Sequence, residues 1–67
     1  MDKLANRLRV LRAEKNISQE ELAKSVGASR HTIIAIERGN YSPSVTLALE
    51  IANYFKKPME EVFSLNK

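Results

Sequence analysis

The twenty residues from Gln19 to Arg38 constrain the fold of this chain more than any other stretch. Leu22, Ala23 and Val26 recur at helical spacing in the first part, and Ile33 and Ile36 in the second. Only Gly27, Ala28 and Ser29 separate the two runs, so two short helices must meet at a sharp angle. Counting from Gln19, the fifth position is Ala23, which must be small because the helices nearly touch there. The ninth is Gly27, in the turn, and Ile33 and Ile36 plug the space between the helices, with Leu22, Val26 and Ala28 filling in.

The ends of both helices are marked. Ser18-Gln19-Glu20-Glu21 fits a capping box, in which Ser18 accepts from the Glu21 N–H and the Glu21 carboxylate reaches back to Ser18. Gly27 stops the first helix where the backbone needs positive φ. Ser29 is placed to cap the second, which Gly39 closes.

The flanks read as further helices. Leu4, Leu8 and Leu11 predict an amphipathic helix over roughly residues 2–15, with Asn16 as its left-handed stop and Ile17 as a core plug. Asn40 to Ser44 is rich in turn residues. A helix follows from Ser44 or Val45 to Phe55. Lys56-Lys57-Pro58 breaks the chain, and Pro58 suits the first turn of a short last helix ending near Phe63, with Ser64 to Lys67 as a brief tail. The expectation is an all-α, five-helix single domain over residues 1–67.

Composition narrows the function. A 67-residue chain buries only about 60% of the surface its unfolded form exposes, so its core is marginal. There is no cysteine for a disulfide, and the lone histidine, His31, cannot by itself build a metal site. No metal or cofactor is expected. Helix packing and self-association remain as sources of stability. No apolar run has the length of a signal peptide or membrane span, so the expected location is the cytoplasm, with nucleoid association when DNA is bound. An enzyme would need a nucleophile–base pair, paired carboxylates or a metal cluster. Glu20-Glu21 and Glu60-Glu61 are better explained as complements to helix N-termini. The net charge is +3, and residues 39–67 are balanced. The excess therefore lies in the first half, where a polyanion would be engaged.

Ile17-Ser18-Gln19-Glu20-Glu21-Leu22-Ala23, Val26-Gly27-Ala28-Ser29-Arg30, Thr32-Ile33, Ile36-Glu37-Arg38-Gly39 and Pro43-Ser44 together resemble the Cro/C1-type (XRE) helix-turn-helix transcriptional regulators. The likeness is greatest to short stand-alone members such as the cytolysin repressors. It implies a lambda-repressor-like domain whose third helix lies in the DNA major groove. Arg30 then holds a slot used for reading bases, where a guanidinium can bond bidentately to guanine; the alternative is a phosphate clamp. His31 either donates to a base or phosphate or is merely solvated. Ile34 either meets a thymine methyl or packs against the first helix, and Ala35 offers a smaller apolar contact. The resemblance also implies that Gln19 contacts phosphate and braces Arg30 or Ser29. It places Asn40, Tyr41 and Ser44 on the DNA backbone, although Tyr41 could equally pack over the loop. Ser29 and Thr32 carry hydroxyls suited to phosphate, with capping as the competing role for Ser29. Arg12 and Glu37 are implied to form a partly buried ion pair tying the first helix to the third.

The segment from residue 45 to 67 holds more apolar surface than one small core needs, with Leu47, Ile51 and Tyr54 forming one helical stripe and Val62, Phe63 and Leu65 beyond it. The surplus suggests a homodimer interface there, and a twofold dimer would read a palindromic operator in double-stranded DNA. With no sensor domain, such a protein most simply represses by occupying a promoter. The rival reading is an antitoxin-like module, or one bound by a regulatory partner protein.

Overall fold

A computed structural model describes residues 3–66; Met1, Asp2 and Lys67 lie outside the described residues. Five helices are present: α1 (Leu8–Lys15), α2 (Gln19–Val26), α3 (Arg30–Glu37), α4 (Val45–Phe55) and α5 (Met59–Val62). They are joined by two strands that the sequence reading did not anticipate, β1 (Lys3–Asn6) and β2 (Phe63–Asn66). These pair antiparallel, with Leu4 opposite Leu65 and Asn6 opposite Phe63.

The helix expected over residues 2–15 therefore begins at Leu8, and its proposed start at residue 2 lies outside the described residues. Two hydrogen bonds explain the late start. The Arg7 N–H donates to the Val62 carbonyl at 3.0 Å instead of to a preceding turn of its own helix. Asn6 Oδ1 accepts the Leu8 N–H at 3.1 Å, satisfying one of the donors a helix N-terminus leaves unpaired. Leu4 keeps its helical spacing to Leu8 but packs on the core from a strand. The other end is corrected likewise. The last helix is a single turn preceded by Pro58, and Phe63 is already extended (φ −125°, ψ 145°). The expected tail is strand β2.

The remaining boundaries follow local chemistry. Asn16 adopts the left-handed conformation (φ 57°) and Gly27 does so at φ 73°. Both halves of the Ser18–Glu21 capping box are made. Ser29 and Ser44 accept from the N–H groups of Thr32 and Leu47, each at 3.1 Å. Lys56 ends α4 in the left-handed region (φ 56°), a place usually given to glycine.

One core joins all five helices. Leu8, Leu11, Leu22, Ile33, Ile36, Ile51 and Val62 are its fully buried large side chains, and Ile17 packs at its edge. Each such residue contributes about 1.5–3 kcal/mol of burial. Three residues expected at a dimer interface are among the core. Ile51 (0% exposed), Val62 (1%) and Phe63 (7%) face their own chain, so they have no surface left for a second copy. Leu47 and Tyr54 are half-buried against the same core, and Leu65 is exposed (61%). The helical stripe of α4 thus serves the monomer first.

Candidate nucleic-acid interface

The angle between α2 and α3 is set by Ala23, Gly27 and the isoleucine plugs, and it directs the N-terminus of α3 outward. Arg30 and His31, the first two residues of that helix, are exposed. Neither side chain makes a hydrogen bond or ion pair among the described residues. Ile34 and Ala35 are half-buried, and Ile34 is absent from the apolar side chains packed against the core. Burial thus leaves one flank of Ile34 free.

Beside the start of α3 lies an open groove of about 580 Å³. Ser29 and Thr32 line it from α3, Tyr41 from the loop, and Ser44, Thr46, Leu47 and Glu50 from α4. Four of the six residues expected on phosphates, Ser29, Thr32, Tyr41 and Ser44, are thereby brought together. Two of them, Ser29 and Ser44, cap α3 and α4, so two helix N-termini border the groove. Those N-termini present backbone N–H groups and the positive end of the helix dipole, a combination suited to an anion. No lysine or arginine lines the groove and Glu50 is its one charged residue, so any pull on an anion would have to come from hydroxyls and backbone N–H groups against that carboxylate. Ser29 also does its capping work, and its hydroxyl shares a 2.9 Å hydrogen bond with that of Thr32. Tyr41 is 49% exposed, so the loop-packing alternative does not hide it. Asn40 is exposed in the loop but outside the groove.

Gln19 is placed differently from expectation. Its Nε2 donates to Glu37 Oε1 at 3.1 Å, so it braces the end of α3 and not Arg30 or Ser29 at its start. Glu37 is the centre of a polar cluster. Arg12 Nε donates to Oε2 at 2.6 Å and Nη2 to Oε1 at 3.1 Å, a bidentate ion pair, while Nη1 donates to the Ile17 carbonyl at 3.1 Å. The Glu37 side chain is only 1% exposed and that of Arg12 15%. Burial pushes the Glu37 pKa up. The hydrogen bonds from Arg12 and Gln19, and the charges of Arg12 and Arg9, outweigh it, so the carboxyl is held below the ordinary glutamate range. The cluster locks α1, α2 and α3 together.

Residues 8–62 match a helix-turn-helix family model. The chain belongs to the Cro/C1-type helix-turn-helix family. Among relatives of this regulator, an HTH-type transcriptional regulator of Methanocaldococcus jannaschii is 50% identical over 60 residues, covering 90% of this chain and 91% of that one. The cryptic phage CTXphi transcriptional repressor RstR of Vibrio cholerae is 32% identical over 60 residues, which are 90% of this chain and 54% of the repressor. The restriction-modification controller protein C.AhdI of Aeromonas hydrophila has the same fold (TM-score 0.73, 35% identity), covering 81% of this chain and 78% of that one. This helix-turn-helix protein is therefore a DNA-binding transcriptional regulator, and the family is one of regulators and not of enzymes. Among its described residues, no helix is long and apolar enough to cross a membrane.

Sequence reading missed the roles of Asn6, Thr46 and Glu50. For Asn6 a signal existed, an Asx residue two places before an apolar helical run. Thr46 and Glu50 carried none, because only the packing of α4 beside α3 brings them to the groove.

Proposed function

We propose that the regulator reads a specific duplex with the start of α3 and acts as a repressor by occupying a palindromic operator as a homodimer. In this reading Arg30 and His31 contact base edges, with Ile34 and Ala35 against thymine methyls. Ser29, Thr32, Tyr41 and Ser44 seat the adjoining backbone in the hydroxyl-lined groove, Asn40 touches it from the loop, and Gln19 at the start of α2 contacts a further phosphate.

The observation that carries this reading is the pairing of two features. Arg30 and His31 stand exposed and unengaged among the described residues, directly beside a groove onto which two serine-capped helix N-termini open. A protein-docking module has no need of four hydroxyls and two helix N-termini gathered along one groove. Repression is favoured by the likeness to a phage repressor. Self-association is favoured by the marginal core and by the apolar side chains left outside it, Leu49 (53% exposed), Leu65 (61%) and Val45 (73%). Twofold pairing would set two α3 helices about 34 Å apart, one turn of DNA.

Selection of bound duplexes from a random pool tests the reading. The enriched site should be a palindrome, and Arg30→Ala should relax preference at one base pair in each half-site, about 1–3 kcal/mol of discrimination. Affinity should fall steeply with salt as counterions compete. Uniform weakening on all sequences would make Arg30 a phosphate contact, and no enrichment of any duplex would end the proposal.

A further inference from the structure

The side chains that open α3, Arg30 and His31, are free of protein partners among the described residues, but the end of the helix is tied down by other elements. The Ile36 carbonyl accepts from the Gly39 N–H at 3.0 Å and also from Asn6 Nδ2 at 2.8 Å. Asn6 is the last residue of β1, opposite Phe63 of β2, and its Oδ1 takes the Leu8 N–H. One carboxamide thus joins the terminal sheet, the start of α1 and the end of α3. The last turn of α3 has no basic residue to satisfy its carbonyls. Among the described residues Asn6 is the only side chain that donates to them.

We propose that Asn6 is a positioning residue for DNA recognition: its carboxamide pins the end of α3 to the sheet made by the two chain ends and so sets the direction in which Arg30 and His31 enter the groove. The proposal rests on the reading of α3 as the recognition helix. Leverage supplies the reason. Eight residues make a helix about 12 Å long, so a tilt of about 5–10° at the anchored end moves the other end by about 1–2 Å. Base-edge hydrogen bonds do not survive such a displacement, whereas phosphate contacts through flexible side chains tolerate it. Order in the terminal sheet is thereby passed to the base-reading end.

Asn6→Asp keeps the size of the side chain and the acceptor for Leu8, and loses the donor to Ile36. Asn6→Ala removes both without adding charge. Full-length wild type, both variants and Arg30→Ala are titrated at one salt concentration, well below their melting temperatures. The duplexes are one selected by the wild type and an unrelated one of equal length. Both Asn6 variants should lose selectivity between the duplexes by about tenfold, the worth of one hydrogen bond, while affinity for the unrelated duplex changes far less. A purely structural Asn6 would lower the melting temperature and leave the selectivity of the folded protein unchanged, which overturns the proposal. The wild type provides a check independent of variant folding. The Asn6 side-chain amide protons should exchange slowly with solvent in the complex with the selected duplex, and exchange at the free rate overturns the proposal as well. If Arg30→Ala leaves selectivity intact, the recognition-helix reading fails. If it lowers selectivity and Asn6→Asp does not, only the positioning role falls.

Discussion

Replacing Arg12 with methionine should do more than weaken the fold; it should reverse the way one carboxylate responds to pH. Arg12 supplies two of the three hydrogen bonds to Glu37, whose side chain is 1% exposed. Its loss leaves a carboxylate buried with the Gln19 amide as its remaining partner. Stranding one member of a buried pair costs about 3–5 kcal/mol, and the 15% exposure of Arg12 argues for the lower end. A domain of 67 residues has a total stability of about 3–10 kcal/mol, so this one change removes a large share of it. The melting temperature should fall by roughly 15 °C.

The pH dependence separates this cause from simple loss of packing. In the wild type the Glu37 pKa is lowered, so the unfolded chain binds the proton more tightly. The carboxylate's contribution is complete above the ordinary glutamate value of about 4.3, and is lost as pH falls through the lower folded pKa. Without Arg12, burial prevails and the folded pKa rises above the ordinary value. The folded state then binds the proton more tightly, so stability falls as pH rises through that raised pKa. Circular-dichroism melts of Arg12→Met and of Arg12→Met with Glu37→Gln, from acid to neutral pH, isolate Glu37 by difference. The single variant should lose stability relative to the double one as pH rises. A flat or opposite difference would refute the argument, as would single costs for Arg12→Met and Glu37→Gln that add to the double within about 0.5 kcal/mol.

Three further outcomes are expected. Lys56→Gly should raise stability by about 1 kcal/mol in urea melts, because a left-handed conformation strains any residue with a Cβ. Gly27→Ala should cost about 1 kcal/mol through its φ of 73° alone, since an added Cβ meets nothing within 4 Å; a much larger loss would mean that the turn is more crowded than it is here. Ser29→Ala should cost about 1 kcal/mol as a lost cap, and should also weaken binding to every duplex equally if the hydroxyl seats a phosphate.

The helix-turn-helix was legible because each of its constraints is local. A small residue at Ala23, a positive φ at Gly27 and serines before α2, α3 and α4 each report on their own few residues. The terminal sheet was not legible for the opposite reason. Leu4, Leu8 and Leu11 satisfy a helical template, and four-residue segments such as Phe63–Asn66 are too short for alternation to overrule it. What decides between helix and strand is the pairing of Lys3–Asn6 with Phe63–Asn66 from the other end of the domain, which no local pattern carries. The same holds for the α4 stripe. Periodicity marks Leu47, Ile51 and Tyr54 as apolar neighbours, but not whether a monomer core or a second chain covers them. Val62 and Phe63 went to the core because β2 folds back beside β1. The partner of Gln19 was misjudged for a related reason: its amide goes to the buried charge of Glu37, which lies eighteen residues away in sequence and which no local pattern places beside it.

Along α3 the polar chemistry divides by position in a way that suits a reader of DNA. At the C-terminal end a charged residue, Glu37, is buried and fully partnered, and a backbone carbonyl, Ile36, takes a side-chain donor from another element. At the N-terminal end the charged Arg30 and the titratable His31 are exposed with no protein partner among the described residues. A helix whose frame is loose would pay an ordering entropy on every binding event. Holding the helix while leaving these two side chains unengaged keeps them mobile on preset Cα positions. The hydrogen bonds that hold the helix end come from α1, α2 and β1, none of which carries Arg30 or His31. Substitutions in these elements should therefore change how well the regulator discriminates among duplexes before they change how tightly it holds DNA in general.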